Sequence, residues 1–246
     1  MKINLAQEEL SISKILTESW TLYKTLFQRI TLITLIVYIP INIMLFYLPT
    51  GDTWESVSAN LRAAEFIQTF FGVLATMAIA LVVQKHLDGE ELSSTQALGQ
   101  SFSRWPAAIW TGFLAGLFII GLVLLLVVPA IIYGGYWSFM IYCVILSQKS
   151  GMDALRYSKR IVQKRWWKIL WYSVIFAVLA FLVAMVGGLP LFILPPGIWT
   201  TLIINSFTDI LISYFSVVFT LFYLNFEATR KVENPELSVP VPQNPQ

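Results

Sequence analysis

A single acidic side chain, Asp209, lies within a long apolar stretch near the end of the chain, and Asn205 precedes it by one helical turn. In a helix the two side chains share a face, where they would bind a proton, an ion or a polar headgroup. A charge at the centre of a bilayer costs roughly 3 kcal/mol or more, and such residues usually have a function. The alternative, which we favour on the sequence, is that residues 195–199 extend into the outer interface and that Asp209 contacts water.

A second chemically distinctive group is the cluster of cations between residues 150 and 168. Tryptophans interleave with these cations, a combination that suits either nucleic acid or an anionic lipid surface. The cluster stands directly before an apolar helix, which favours lipid and argues against nucleic acid. The predicted lipid-contacting residues are Arg156, Lys159, Arg160, Lys164, Arg165 and Lys168, and the predicted interfacial anchors are Trp105, Trp166, Trp167 and Trp171.

The first half of this basic segment has the pattern of an amphipathic helix. The residues of its less polar face are Ala154, Leu155, Ser158, Ile161 and Val162, and cations occupy the opposite face. A helix of this kind lies flat on a membrane, with its cations among the headgroups. We therefore expect its apolar face to lie in the acyl boundary.

Two glycines in an apolar stretch, Gly112 and Gly116, have the spacing that lets two helix backbones approach closely. We expect them to pack against another helix of the same chain. A homodimer contact is the alternative interpretation.

Catalytic and metal-binding motifs are missing from the sequence. One cysteine, Cys143, excludes an internal disulfide, and one histidine, His86, makes a histidine-built metal centre or a Ser-His-Asp triad hard to assemble. No Walker A, HExxH or GxSxG motif occurs. We expect Cys143 to be a packing residue and His86 a solvated loop residue, and we predict a protein that is not an enzyme and needs no cofactor or metal.

The composition of the chain indicates that these features belong to an integral membrane protein. Hydrophobic residues make up 57% of the chain and charged residues only 12%, about half the share in a soluble domain. Runs of about 20 apolar residues match a hydrocarbon core of about 30 Å. We predict an all-α integral membrane protein with six transmembrane helices, at residues 27–48, 66–83, 107–128, 130–148, 168–185 and 200–223.

Between these spans the pattern predicts loops and further amphipathic helices. Residues 10–26 and 93–105 repeat the amphipathic spacing, and Ser93 with Gln96 forms a capping box, which Ser150 and Asp153 repeat. Pro106 is expected to end the second amphipathic helix. Residues 49–65, which carry several charges, are expected to form a loop.

The three amphipathic segments resemble one another. Leu16, Leu98 and Leu155 align, and a serine follows each of them three residues later, at Ser19, Ser101 and Ser158; a proline closes or breaks each following span, at Pro40, Pro129 and Pro190. This predicts three transmembrane hairpins, each preceded by an interfacial helix, in repeats at residues 10–84, 93–148 and 150–224. The alternative is that the physics of membrane insertion alone produces three similar units without a true repeat. The repeats form one membrane domain, residues 1–231, and residues 232–246 are expected to be a disordered Pro-rich cytoplasmic tail.

The distribution of lysine and arginine predicts the orientation. With six spans, almost every cation falls on the same side of the membrane, and Arg62 is the exception. Cations concentrate on the cytoplasmic side of membrane proteins. Both termini are therefore expected in the cytoplasm, without a cleaved signal peptide.

Particular phrases of the chain resemble a known family. One runs from Ala154 to the Trp166-Trp167 pair, another is ILTESWTLYKTLF, and the last, FTLFYLNFEATR, contains Tyr223, Glu227 and Arg230. They resemble the glycerophosphoryl diester phosphodiesterase membrane-domain family and its YciC-like relatives in bacteria. The resemblance implies a multi-pass protein of the inner membrane. The catalytic barrel of some relatives is absent, and Tyr142 and Gln148 stand where relatives often carry an arginine and an acid.

Taken together, these features predict a non-enzymatic inner-membrane protein that engages anionic lipid, with a membrane-organising, accessory or envelope-homeostasis role. Its expected partners are membrane lipids, and a membrane-protein partner or a second copy is also compatible with the sequence. The alternative is a transporter or channel for a small or lipid-like substrate, with Asp209 and Asn205 on the path. A lipid-modifying enzyme ranks last because no catalytic group of residues is present.

Overall fold

The computed structural model describes residues 5, 8–48, 53–195 and 197–234, and every regular element among them is a helix. The helices are α1 (Ile12–Thr25), α2 (Phe27–Phe46), α3 (Trp54–Leu87), α4 (Ser94–Leu125), α5 (Val127–Tyr136), α6 (Met140–Ile145), α7 (Gly151–Val162), α8 (Trp166–Gly188) and α9 (Ile198–Glu233), with a short 3-10 helix, Leu189–Phe192, after α8.

Six of these units are long and apolar enough to cross a membrane: α2, α3, α4, α5 with α6, α8 with the 3-10 helix, and α9. This confirms the prediction of an all-helical, multi-pass membrane protein. The burial of the spans is unequal. In the most apolar stretch of α3, more than half of the residues are buried within the described chain. The corresponding stretches of α4 and α8 are mostly exposed, as expected for helices that face lipid.

The second half of α9 forms the centre of the packing. Helix α9 packs against α1, α2, α3, α7 and α8. Its residues 221–227 are all buried, and Phe222 contacts the rings of Phe139, Tyr172 and Phe176. The packed end of the bundle that contains α7 and the C-terminal half of α9 is called the α7 end below.

Residues 49–65 were expected to form a loop, but helix α3 already begins at Trp54. The hydroxyl of Thr53 accepts a hydrogen bond of 3.3 Å from the backbone N–H of Ser56 and caps the helix. Arg62 donates to the carbonyl oxygen of Ser58 one turn earlier. The polar residues here belong to the first turns of a long helix, while residues 49–52 lie outside the described part of the chain.

The prolines act differently from one another. Helix α4 continues through Pro106, which was expected to end it. Trp105 donates its indole N–H to the carbonyl oxygen of Phe70, 3.0 Å away, and holds this part of α4 on α3. At Pro129 the predicted break is present: α4 ends at Leu125, and Pro129 lies in the first turn of α5, where its missing N–H is not needed.

The predicted low-polarity face of α7 is buried, but against protein. All five of its residues are buried, and the helix packs on α4, α5 and α6. The hydroxyl of Ser158 accepts from the backbone N–H of Phe139, at 3.3 Å, and donates to the carbonyl oxygen of Tyr136, at 2.8 Å. This face is therefore unavailable to the acyl boundary, contrary to the expectation from its pattern. The cationic face stays exposed at Arg156 and Arg160.

The two capping predictions have different outcomes. The capping box of Ser93 and Gln96 is present, with both reciprocal hydrogen bonds formed. Ser150 is the N-cap residue of α7, but its side chain makes no capping hydrogen bond. The backbone N–H of Gly151 donates instead to the hydroxyl of Thr111 on α4, at 2.8 Å. The start of α7 is thus fixed by a neighbouring helix.

The C-terminal helix is longer than predicted. Helix α9 extends ten residues beyond the expected end of the span at Tyr223, to Glu233. Val232 and Glu233, assigned on sequence to the tail, are helical because Glu233 pairs with Arg230 and with Arg165. The rest of the predicted tail, residues 235–246, lies outside the described residues.

Candidate functional site

The junction between α7 and α8 brings three of the predicted cations to a hollow of about 460 Å³. Lys164 has a φ of 74°, which turns the chain between the two helices, and its side chain is exposed. Cations beside aromatic rings at the start of a span are suited to an anionic headgroup. The residues that line the hollow are Tyr136, Lys164, Arg165, Trp166, Trp167 and Lys168.

Trp166 is a fixed wall of this hollow. Its indole N–H donates to the carbonyl oxygen of Ile132, 2.9 Å away, and its ring lies directly over Gly135. A Cβ atom at Gly135 would lie 2.4 Å from the indole nitrogen, so only glycine allows this approach. Of the four predicted anchors, Trp167 and Trp171 are exposed, whereas Trp105 and Trp166 use their indole N–H groups inside the protein.

Two of the six predicted lipid-contacting cations are engaged inside the protein. The Nε atom of Arg165 lies 2.6 Å from Oε1 of Glu9, and Lys168 pairs with the other oxygen of the same carboxylate. Arg165 also pairs with Glu233 and donates to the hydroxyl of Thr229, at 2.8 Å. The Arg165 side chain is only 9% exposed. Arg165 is therefore first of all a link between the N-terminal segment and α9.

The other four predicted cations remain more accessible. Arg156 lies 3.8 Å from Asp153, and both side chains are well exposed. The Lys159 ammonium lies 5.0 Å from the ring centre of Tyr133 and close to Tyr136 as well, which orients it without neutralising it. Arg160 and Lys164 are exposed.

Asn225 fixes the N-terminal segment on the end of α9. Its Oδ1 atom accepts from the backbone N–H of Leu10, and its Nδ2 atom donates to the carbonyl oxygens of Leu5 and Glu8, each at 2.9 Å. Asn225 is fully buried. These bonds hold the backbone that carries Glu9 independently of the ion pairs that Glu9 makes.

A buried acid, Glu227, connects α7 with α9. Its Oε1 atom accepts from the hydroxyl groups of Tyr157 (2.6 Å) and Ser147 (2.8 Å), and the Lys231 ammonium lies 3.1 Å away. Burial, and after it the charge of Glu227, raises the pKa of Tyr157 above its ordinary value. Tyr223, also fully buried, shares a hydrogen bond of 2.7 Å with Ser147. The resemblance phrase thus contributes residues to the packing between helices.

Asp209 has a partner that the sequence did not indicate. The side-chain amide of Asn42 on α2 donates a hydrogen bond of 2.8 Å to Oδ2 of Asp209. Asn42 is buried, whereas Asp209 and Asn205 are half-buried. Among the described residues the Asn205 side chain makes no hydrogen bond, and it lies one turn from Asp209 on α9. A ligand shared by Asn205 and Asp209 stays a prediction.

The two glycines of α4 leave open space where a side chain would lie. A Cβ atom built on Gly112 or on Gly116 would meet no atom within 4 Å among the described residues. Their role in helix packing stays a prediction. The close approach of helices occurs elsewhere, where Gly187 on α8 meets the side chain of Thr208 on α9.

An apolar groove of about 550 Å³ lies between α2, α3 and the first turns of α4. Pro40 and Met44 from α2 face Leu98 and Phe102 from α4 across it. The same turns of α4 were predicted to lie on the membrane surface. The groove is lined almost wholly by apolar atoms, so it offers no chemistry beyond space for a hydrocarbon chain.

The described residues contain no cluster of three or more histidine, cysteine or acidic side chains that would hold a metal ion. Cys143 is fully buried in α6, as its expected packing role requires, and His86 belongs to the last turn of α3 instead of a loop.

No protein-family model, no curated protein and no solved structure matches this chain. The relationship to the YciC-like family remains a prediction from the sequence phrases.

Besides Asn42, the residues that sequence reasoning missed lie towards the two ends of the chain. Asn225, Thr229 and Glu233 follow one another at four-residue spacing, so they form a polar stripe on one face of α9 that receives the N-terminal segment and Arg165. The spacing was visible in the sequence, but the stripe begins two residues beyond the end assigned to the span and reaches into the assigned tail. The role of Glu9 had no local signal.

Proposed function

We propose that this protein is a non-enzymatic, multi-pass protein of the bacterial inner membrane whose α7 end faces the cytoplasm and binds anionic phospholipid. The observation that supports it most is the hollow at the start of α8, where Lys164 and Lys168 meet the exposed ring of Trp167. Each cation near an anionic surface contributes about 1 kcal/mol to binding. The exposed cations on α7 extend the same surface.

The architecture that goes with this proposal is three hairpins in a repeated arrangement, α2 with α3, α4 with α5 and α6, and α8 with α9. The aligned serines Ser19, Ser101 and Ser158 support it, because each is fully buried at the contact of its helix with the bundle. A membrane-organising or accessory role follows from a surface that binds lipid but holds no catalytic group. The relationship to the YciC-like family belongs to the same proposal.

The lipid proposal is tested with the full-length protein in neutral detergent, titrated with phosphatidylglycerol or phosphatidylcholine and observed by native mass spectrometry. We expect tighter binding of phosphatidylglycerol, and a loss of about fivefold for Lys164→Gln, equivalent to one surface cation. Lys14→Gln, which removes another exposed lysine, on α1, is the control and leaves the affinity unchanged. Equal binding of the two lipids by the unchanged protein would contradict the proposal.

The orientation is tested by labelling single cysteines in spheroplasts with a membrane-impermeant maleimide. Cys143 is fully buried and gives little background. With the proposed orientation, Trp54→Cys is labelled in intact spheroplasts, whereas Lys164→Cys is labelled only after lysis. Labelling of Lys164→Cys in intact spheroplasts would show that the α7 end faces the outside of the cell, contrary to the proposal.

A transport function is the second candidate, and the hydrogen bond between Asn42 and Asp209 favours it. Ionisable groups within a membrane bundle commonly mark proton or ion pathways. Proteoliposomes with an enclosed pH-sensitive dye provide the measurement: transport predicts a proton flux above that of empty vesicles, reduced in Asp209→Asn. Flux at the level of empty vesicles would remove this candidate.

A further inference from the structure

The carboxylate of Glu9 occupies a fork made by two cations. Arg165 contacts one of its oxygens through Nε, at 2.6 Å, and Lys168 contacts the other. Two oxygens of a phosphate group would accept from the same donors in the same way, because Arg and Lys bind phosphate and carboxylate with similar geometry. The fork is therefore a phosphate-type anion site that contains an anion of the protein itself.

The cations of the fork keep their positions without Glu9. Arg165 donates to the hydroxyl of Thr229 and pairs with Glu233, and both of these residues belong to α9. Lys168 lies in the first turn of α8, where its ammonium also lies 5.7 Å from the ring centre of Phe226. Departure of Glu9 would leave a preformed cationic pair.

The fork opens into the hollow described above. Arg165 and Lys168 both line it, together with Lys164, and the Glu9 side chain is 23% exposed. An incoming anionic group thus has space beside the two cations that Glu9 occupies. The pair of Lys168 with Glu9, whose side chains are 38% and 23% exposed, contributes little net stability, because water solvates the separated partners well. Arg165 is only 9% exposed, but it keeps its partners on α9 when Glu9 leaves.

We infer that Glu9 acts as an internal competitor for a phosphate-bearing ligand at Arg165 and Lys168, so that a phosphate group must displace the Glu9 carboxylate to bind. The inference rests on the proposed lipid function and adds to it the position of the phosphate and its regulation. The backbone on either side of Glu9 is held by Asn225, so that the carboxylate remains close by and rebinds when the ligand leaves.

The test compares Glu9→Gln with Glu8→Gln in the full-length protein. Both changes remove one negative charge at adjacent positions, but the Glu8 carboxylate pairs with Lys14, away from the fork. Binding of phosphatidylglycerol is titrated as before, with soluble glycerol 3-phosphate as a parallel probe. We expect Glu9→Gln to bind phosphatidylglycerol about fivefold more tightly than the unchanged protein, the equivalent of one charge at the surface, and Glu8→Gln to bind as before. A gain for glycerol 3-phosphate as well assigns the site to phosphate groups in general; a gain for the lipid alone assigns it to a membrane headgroup.

Two further variants keep the result interpretable. Glu9→Asp retains the charge but retracts the carboxylate from the fork, and we expect a smaller gain; it replaces Glu9→Gln if that variant does not fold. Lys168→Gln in the Glu9→Gln background should abolish the gain. Equal affinities for Glu9→Gln and Glu8→Gln would overturn this inference alone, whereas failure of the unchanged protein to prefer phosphatidylglycerol would overturn the proposed function too.

Discussion

The side-chain amide of Asn42 donates a hydrogen bond of 2.8 Å to Asp209, and it joins α2 to α9 across 167 positions of the sequence. Hydrogen bonds between membrane helices are worth about 0.6 kcal/mol on average and at most about 2 kcal/mol. A double-mutant cycle with Asn42→Leu and Asp209→Leu should therefore give a coupling free energy of about 0.6–2 kcal/mol, measured by unfolding in mixed detergent micelles.

The control for this cycle is Asn205→Leu with Asp209→Leu. Asn205 lies on the same helix one turn away but does not bond to Asp209 among the described residues, so we expect its coupling to be close to zero. A larger coupling for Asn205 than for Asn42 would show that the sequence-based pairing is the one formed in the membrane.

The three aligned serines provide a second prediction, because their hydroxyl groups differ in partners. Ser158 bonds to the backbone of residues 136 and 139, whereas the buried hydroxyls of Ser19 and Ser101 have no partner in the described chain. Ser158→Ala should lower the free energy of unfolding by about 1–3 kcal/mol, since it leaves a backbone donor unsatisfied. Ser19→Ala and Ser101→Ala should leave it unchanged or raise it slightly. Comparable losses in all three variants would contradict this distinction.

The contact of Trp166 with Gly135 predicts a difference between two adjacent glycines. Gly135→Ala places a methyl group 2.4 Å from the indole nitrogen and should destabilise the protein by about 1–3 kcal/mol. Gly134→Ala places its methyl group 4.0 Å from Ile119 and should have no such cost, with a gain of up to about 1 kcal/mol from helix propensity. Thermal unfolding in detergent distinguishes the two, and a more stable Gly135→Ala variant would mean that Trp166 does not lie over this glycine.

The hydroxyl of Tyr157 predicts the response to alkaline pH. Its pKa in the folded protein is raised above the ordinary tyrosine value of about 10, first by burial and then by the charge of Glu227. Above about pH 10 the unfolded chain therefore releases this proton while the folded protein retains it, and the free energy of unfolding falls by about 1.4 kcal/mol per pH unit for this group. Below about pH 10 the contribution is fully present.

Tyr157→Phe removes the titrating hydroxyl. It should make the fall of the free energy of unfolding above about pH 10 less steep by about 1.4 kcal/mol per pH unit, measured by unfolding between about pH 9 and 11. Other buried tyrosines contribute equally in both proteins and cancel in the difference. Identical slopes for the two proteins would mean that Tyr157 is not held protonated by its surroundings.

The sequence predicted the elements whose signals are local. The apolar runs predicted six spans, and the capping box at Ser93 and Gln96 formed as expected. The low-polarity face of α7 was identified residue by residue. Its surroundings were not, because periodicity shows that a face is buried but not whether lipid or protein buries it.

The pairing of distant residues could not be predicted in this way. Nothing near Arg165 indicates Glu9, and nothing near Asp209 indicates Asn42. Polar residues at the ends of spans were misassigned for a related reason: residues 54–65 and 232–233 are helical, but their surroundings in the sequence made them resemble a loop and a tail. Hydropathy reports the solvent around a segment and leaves its backbone conformation undetermined.

The three hydrogen bonds of Asn225 also determine when the N-terminal segment can dock during biosynthesis. The backbone of Leu5, Glu8 and Leu10 leaves the ribosome first, yet its partner is translated only after five of the six spans have been made. The cations that neutralise Glu9 in the finished protein, Arg165 and Lys168, are made earlier than Asn225 but still only after four of the spans. The α7 end therefore closes last, and a nascent chain that stops before Asn225 presents an unfinished surface to the proteases that remove misassembled membrane proteins.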